Sequence, residues 1–118
     1  MIVDYKMTLV TDESGDATQS ISCSSGRIVK VSVDLSDCAA TSDLVLKGVE
    51  TPSGVDDTYL TLTNSQATAH YPLDVASYKA DGTASGEFVP PIHAGKINAT
   101  IAQGGDTKTA VVVVYIEK

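Results

Sequence analysis

The run Val111-Val112-Val113-Val114-Tyr115-Ile116 restricts the fold of this chain more than any other stretch. Four successive β-branched valines are stiff at χ1 and make poor helix. The run is apolar on both faces, so as a strand it must be central and covered twice, or covered on its second face by another chain. Upstream, residues 95–101 alternate strictly, with Ile97, Ala99 and Ile101 on one face and Lys96, Asn98 and Thr100 on the other. That period of two marks a half-buried strand. Between the two segments, Gly104-Gly105-Asp106 tolerates positive φ and predicts a hairpin that joins them.

The same alternation recurs along the chain. Residues 2–10 put Val3, Tyr5, Met7 and Leu9 opposite Asp4, Lys6 and Thr8. Residues 17–23 set Ala17, Gln19, Ile21 and Cys23 against Thr18, Ser20 and Ser22, and residues 28–35 place Val29, Val31, Val33 and Leu35 inward. With polar turns at 11–16 and 24–26, these read as a meander of three strands. Two shorter strands, 43–50 and 58–64, flank a long hairpin loop at 51–57, and a weak strand covers 68–73. Residues 74–87 read as loop, because 80–86 are too small and polar to pack. Pro90 and Pro91 have no N–H to give a ladder, so residues 88–92 must be an edge or crossing segment. No helical periodicity, internal repeat or linker intervenes. The fold class expected is all-β: one domain over residues 1–118, a single antiparallel β-sandwich or jelly-roll-like barrel of about seven or eight strands.

Composition sets the class of partner. The core is lean, with one Phe, five Tyr and no Trp. Fifteen acids against eight bases give a net charge of −7, which argues against nucleic acid and anionic membrane as partners, since both need clustered Lys and Arg. It suits docking onto a basic protein surface. There is no leader-like segment at Met1 and no apolar stretch long enough for a membrane helix, so the expectation is a soluble protein made in the cytoplasm.

No group of residues carries catalytic chemistry. His70 and His93 stand near prolines without a third partner and read as structural. The acidic turn at 12–16 lacks the register of a Ca²⁺ loop, and Asp56-Asp57 is similar. Cys23 and Cys38 are placed too far apart by an intervening straight strand to bridge, and read as free thiols. No Gly-x-Ser-x-Gly elbow and no Gly-x-Gly-x-x-Gly loop is present, and paired carboxylates occur only in turns. Asn98-Ala99-Thr100 matches a glycosylation sequon, but without an export signal it would not meet that machinery. The expectation is no enzyme, no cofactor and no metal.

Several stretches resemble small structural proteins of tailed bacteriophages, of the kind encoded beside the major capsid protein. These are Tyr5-Lys6-Met7-Thr8-Leu9 with Gly15-Asp16-Ala17-Thr18, then Ser25-Gly26-Arg27-Ile28-Val29, residues 43–50, and His70-Tyr71-Pro72-Leu73. The closest match is Ala94-Gly95-Lys96-Ile97 with residues 101–109. Cys23 and Cys38 lie outside the pattern. The resemblance implies a virion component on the capsid surface, a decoration or cement protein that binds the major capsid protein as a homo-oligomer, dimer or trimer. It carries over no catalytic residue. The competing classes are a small tail, fibre or head-completion module that binds a receptor or another virion protein. Contact is expected through the N-terminal segment, the 51–57 and 74–86 loops, and the doubly apolar strand. The residues singled out are Ile2, Val3, Val55, Asp56, Asp57, Tyr78, Val112 and Val114.

Overall fold

The computed structural model describes residues 1–49 and 57–118. Over these the chain is all-β, with curled antiparallel sheets packed as a sandwich. Its strands are β1 (Ile2–Val10), β2 (Ala17–Ser22), β3 (Gly26–Asp34), β4 (Asp43–Val49), β5 (Asp57–Leu62), β6 (Thr68–Pro72), β7 (Val75–Tyr78), β8 (Ala84–Val89), β9 (Ile92–His93), β10 (Lys96–Ala102) and β11 (Thr109–Glu117). One sheet has the order β1-β11-β3-β6, with β9 also paired to β3. The facing sheet has the order β2-β10-β4-β5, and β7 pairs only with β8.

Alternation decides which side chains fill the space between the sheets. From the first sheet come Met7, Leu9, Ile28, Val31, Val112, Val114 and Ile116; from the second come Leu44, Leu46, Ile97, Ala99 and Ile101. All are at most 2% exposed, and each good-sized side chain contributes roughly 1.5–3 kcal/mol.

The pairing departs from local expectation in several places. Residues 96–102 and 109–117 do not form a hairpin: β10 and β11 lie in opposite sheets. Nor is the N-terminal third a meander, because β1 pairs with β11, β2 with β10, and β3 with β11. The turns at 11–16 and 103–108 are therefore arches between layers, and they brace each other. The Gly104 amide donates to the Gly15 carbonyl at 2.8 Å, and Thr11 Oγ1 donates to the Gly105 carbonyl at 2.6 Å while accepting from the Lys108 amide. Gly104 leaves no room for a side chain, since a Cβ there would lie 2.8 Å from Ile101 Cγ2.

A register shift in β3 corrects the inward set as well. Tyr115 faces Lys30 while Ile116 faces Ile28, so Val29 is bulged out of the ladder. Ile28 and Val31 are the buried pair; Val29 is only half-buried. Residues 74–87 are not merely loop, since β7 and β8 form a hairpin there. The count is eleven strands among the described residues, above the expected seven or eight. The β4–β5 hairpin is present as expected, while its loop, residues 50–56, lies outside the described residues.

The central position of β11 holds, between β1 and β3. Val112 and Val114 point into the core at 0% exposure, so neither can touch a partner. The outer row Val111, Val113 and Tyr115 is half-buried by the chain's own neighbours. Lys6 stands opposite Val113, and Lys30 Nζ lies 4.4 Å from the centroid of the Tyr115 ring.

Candidate interaction surface

Strand register sorts the loops to two ends of the sandwich. One end holds Val10, Thr109, Asp34 and Asp43; the other holds Ile2, Glu117, Gly26, His93, Val49 and Asp57. A nine-residue strand spans about 30 Å, and the molecule measures 47 × 26 × 26 Å, so much of its long axis lies beyond the strand ends. Charge divides the same way. Asp12, Glu13, Asp16, Asp34, Asp37, Asp43 and Asp106 stand at the first end with Lys108 alone against them: seven acids and one base, net −6. At the second end, among the described residues, six acids (Asp4, Asp57, Asp74, Asp81, Glu87, Glu117) meet five bases (Arg27, Lys47, Lys79, Lys96, Lys118).

The second end carries an arm. β7 and β8 pair antiparallel through Val75–Val89, Ala76–Phe88 and Tyr78–Ala84, and among the described residues neither strand pairs with the sandwich. Two extra residues of β8 are absorbed around Gly86, whose φ is +83°. The tip is a tight turn in which the Lys79 amide donates to the Thr83 carbonyl and Gly82 adopts φ +85°. Asp81 caps it by accepting from the Thr83 amide and hydroxyl, which holds its carboxyl below the usual range. Along the arm Ser77 and Ser85 bond each other and the facing backbone. A lone two-stranded hairpin is marginal in water, and this one satisfies its polar groups locally rather than by packing.

Besides the charged Lys79, Asp81 and Glu87, the arm and the adjoining β9 expose large apolar side chains. Tyr78 is 67% exposed, Phe88 65% and Ile92 74%. Period two puts Ala76 and Tyr78 on one face of β7, and the ladder sets Phe88 beside Ala76. Val75, on the opposite face, lines an open groove with Asp57, Thr58, Tyr59, Pro91 and Ile92. Large exposed apolar side chains gathered at one end mark an interaction surface; single ones would not.

Beneath the groove lies a polar pair that the sequence reading took simply as a structural histidine. His93 is wholly buried. The Tyr59 hydroxyl lies 3.0 Å from His93 Nδ1, and His93 Nε2 lies 2.9 Å from the Gly95 carbonyl. A carbonyl only accepts, so Nε2 carries the proton and Nδ1 accepts from Tyr59. The rings meet edge to face at 5.9 Å. Burial pushes the Tyr59 hydroxyl up to about 12, with the Asp57 charge adding to it, and burial pulls the imidazole down from its ordinary value. Both ring nitrogens are satisfied and shielded, so the pair offers no base to a substrate. His70 instead lies exposed on the outer face of the first sheet, with its Nδ1 against Ser32 Oγ.

Of the residues expected to bind a partner, the fold gathers Ile2, Val3, Asp57 and Tyr78 at this end. Val3 is half-buried on the inward side of β1, while Ile2 is 57% exposed. Val55 and Asp56 lie outside the described residues, and Val112 and Val114 belong to the core. Phe88, Ile92 and Val75 were missed. The available signal was Phe88 itself, the chain's one phenylalanine, set in a stretch otherwise too polar to bury it. Cys23 and Cys38 are unbridged, and among the described residues no three His, Cys, Asp or Glu side chains converge as a metal site would require.

No family model matches the chain, and no curated protein does. Two solved structures are similar at low level. One is the Drosophila NLP core, described for pentamer formation and histone binding: 14% identity, 98% of this chain and 99% of that one covered, TM-score 0.43. The other is the CBM32 of AlyQ in complex with 4,5-unsaturated mannuronic acid: 11% identity, 92% and 75% covered, TM-score 0.41. Similarity at this level carries nothing about the ligands or partners of this chain.

Proposed function

We propose that this protein is a non-enzymatic assembly component that docks by its arm end onto a larger protein surface, and specifically a decoration protein of a bacteriophage capsid. The observation that carries the docking reading is the arm end: Tyr78 and Phe88 on the arm and Ile92 on β9 beside it stand exposed together. The acidic end then faces solvent, where its net charge keeps decorated particles apart. The sequence resemblance supplies the kind of assembly, with the major capsid protein as partner and a homo-oligomer as the docked form. The buried, fully bonded Tyr59–His93 pair supports a structural rather than catalytic role.

Stripped capsids of the phage that carries the protein should rebind it to saturation, at a stoichiometry matching a lattice position, and should then resist a higher temperature. Replacing Tyr78→Ser and Phe88→Ser together should leave the melting temperature nearly unchanged, because neither side chain is packed, yet abolish rebinding. Undiminished rebinding by that variant refutes the arm as docking surface. A few copies per particle, confined to the tail or one vertex, refute the decoration reading.

A further inference from the structure

The arm is rooted in the sandwich by little. On its N-terminal side Leu73 is buried. On its C-terminal side β9 holds β3 through two register pairs, Gly26–His93 and Arg27–Ile92, and the Ile28 amide donates to the Pro91 carbonyl at 2.9 Å. A further attachment among the described residues is the His93 ring. Its backbone belongs to the first sheet, and its partner Tyr59 lies on β5 at the edge of the second. The ring therefore ties the two layers together where the arm leaves them.

As it stands the tie is made by the neutral ring: Nε2 donates to Gly95 and Nδ1 accepts from Tyr59. A charged ring would donate from both nitrogens, and the Tyr59 hydroxyl would have to turn and give up the acceptor of its own proton. Tyr59 cannot draw back toward β4, because Gly48 is already so close that a Cβ there would lie 2.5 Å from the hydroxyl. At this end of the surrounding strands the charged side chains are Asp57 on β5, Arg27 on β3, Lys47 on β4, Lys96 on β10 and Glu117 on β11, while Lys30 and Asp34 on β3 and Asp43 on β4 lie farther along. Of these, Asp57 acts on the ring, favouring its charged form, and burial opposes it more strongly.

We propose that the Tyr59–His93 pair is an acid-sensitive latch at the root of the arm. A proton added at Nδ1 turns the acceptor of the Tyr59 hydroxyl into a donor and leaves an imidazolium buried between the sheets. β9 then separates from β3, and the arm loses its fixed angle. If the arm is the docking surface, as proposed above, docking weakens with it; the latch itself does not depend on that reading. The direction follows from the shift. A buried ring that resists protonation binds fewer protons folded than free, so the attachment is complete above the ordinary imidazole value of 6.5 and is lost as pH falls below it. One linked proton changes the opening equilibrium by at most about tenfold per pH unit.

The test uses the isolated protein, so it can fail without touching the docking reading. Ring nitrogen shifts of His93 and the exchange protection of the Ile28 amide are followed by NMR from about pH 7.5 to about pH 5, the span in which imidazoles charge. The expected result is a neutral Nε2–H ring at the upper end and a loss of Ile28 protection that tracks its titration. Amides of β11, paired on both sides, should keep theirs. His93→Gln should make Ile28 protection independent of pH, and His70→Gln should leave the wild-type response intact. Should His93→Gln not fold, the wild-type titration still decides. Ile28 protection that is flat while the ring titrates, or a response abolished by His70→Gln, overturns the latch.

Discussion

Two adjacent valines in β11 give the sharpest test of the architecture. Val112 is wholly buried between the sheets; Val113, one residue on, faces outward between Lys6 on β1 and Ser32 on β3. Replacing Val112→Asp removes roughly 1.5–3 kcal/mol of burial. At pH 7 the carboxyl must also be held neutral, about 4 kcal/mol for a group that ordinarily ionises near 3.9. Dehydrating the neutral acid adds roughly 1–3 kcal/mol. The total, about 7–10 kcal/mol, reaches the whole stability of a typical domain, about 5–15 kcal/mol. Val113→Asp loses about 1 kcal/mol of strand preference and regains part of it from the Lys6 ammonium opposite, roughly 0.2–1 kcal/mol for a cross-strand pair. Thermal unfolding followed by circular dichroism should show no cooperative transition for Val112→Asp. The Val113→Asp melting temperature should fall by about 4 °C at most. Equal loss in the two variants would mean that both faces of β11 are sealed, and the two-layer assignment would be refuted.

Gly48→Ala should be costly although it adds a single methyl. The new Cβ would press on the Tyr59 hydroxyl and strip His93 Nδ1 of its donor, costing about 2–4 kcal/mol, and the effect should shrink when it is combined with Tyr59→Phe. Additive losses in that double variant, read from urea midpoints, would separate the two sites. The thiols should be slow towards a disulfide reagent in the native state. Burial pushes Cys23 up to about 11 and raises Cys38, which is 2% exposed, so little thiolate is present at neutral pH. On unfolding both should react at once without prior reduction; a protected pair would contradict the unbridged geometry.

Period two made the inward faces of β1, β2, β4 and β10 legible, and with them the all-β class. It could not say which strand lies beside which. Gly104-Gly105 looks the same locally whether it closes a hairpin or arches to the other sheet, and what decides is the bond from the Gly104 amide to Gly15, almost ninety residues away in sequence. The bulge at Val29 was equally invisible: it shifts the inward set by one residue in a stretch where every second position is valine or isoleucine. The arm hid for a different reason. Val75-Ala76-Ser77-Tyr78 and Ala84-Ser85-Gly86-Glu87 bury nothing, so they carry no alternation to read, and their strand character comes from each other's backbone. At the site, the exposure of Ile2, Asp57 and Tyr78 was legible as loop and terminus. Val112 and Val114 were misplaced because a doubly apolar strand does not say which face is inside.

The pairing of β1 with β11 has a bearing on how the chain reaches this state. Ile2 lies opposite Glu117 and Val10 opposite Thr109, so one ladder of the first sheet joins segments about a hundred residues apart. Such a contact closes a loop of about a hundred residues, and sheets built this way fold slowly. Sheet one cannot be completed until residue 117 has left the ribosome, so β1 waits with its edge unpaired for a strand made about a hundred residues later. Meanwhile β4 and β5, joined locally, can pair early and nucleate the opposite layer. A chain cut short before β11 would keep that second layer's strands but leave β1 and β3 without the strand that lies between them.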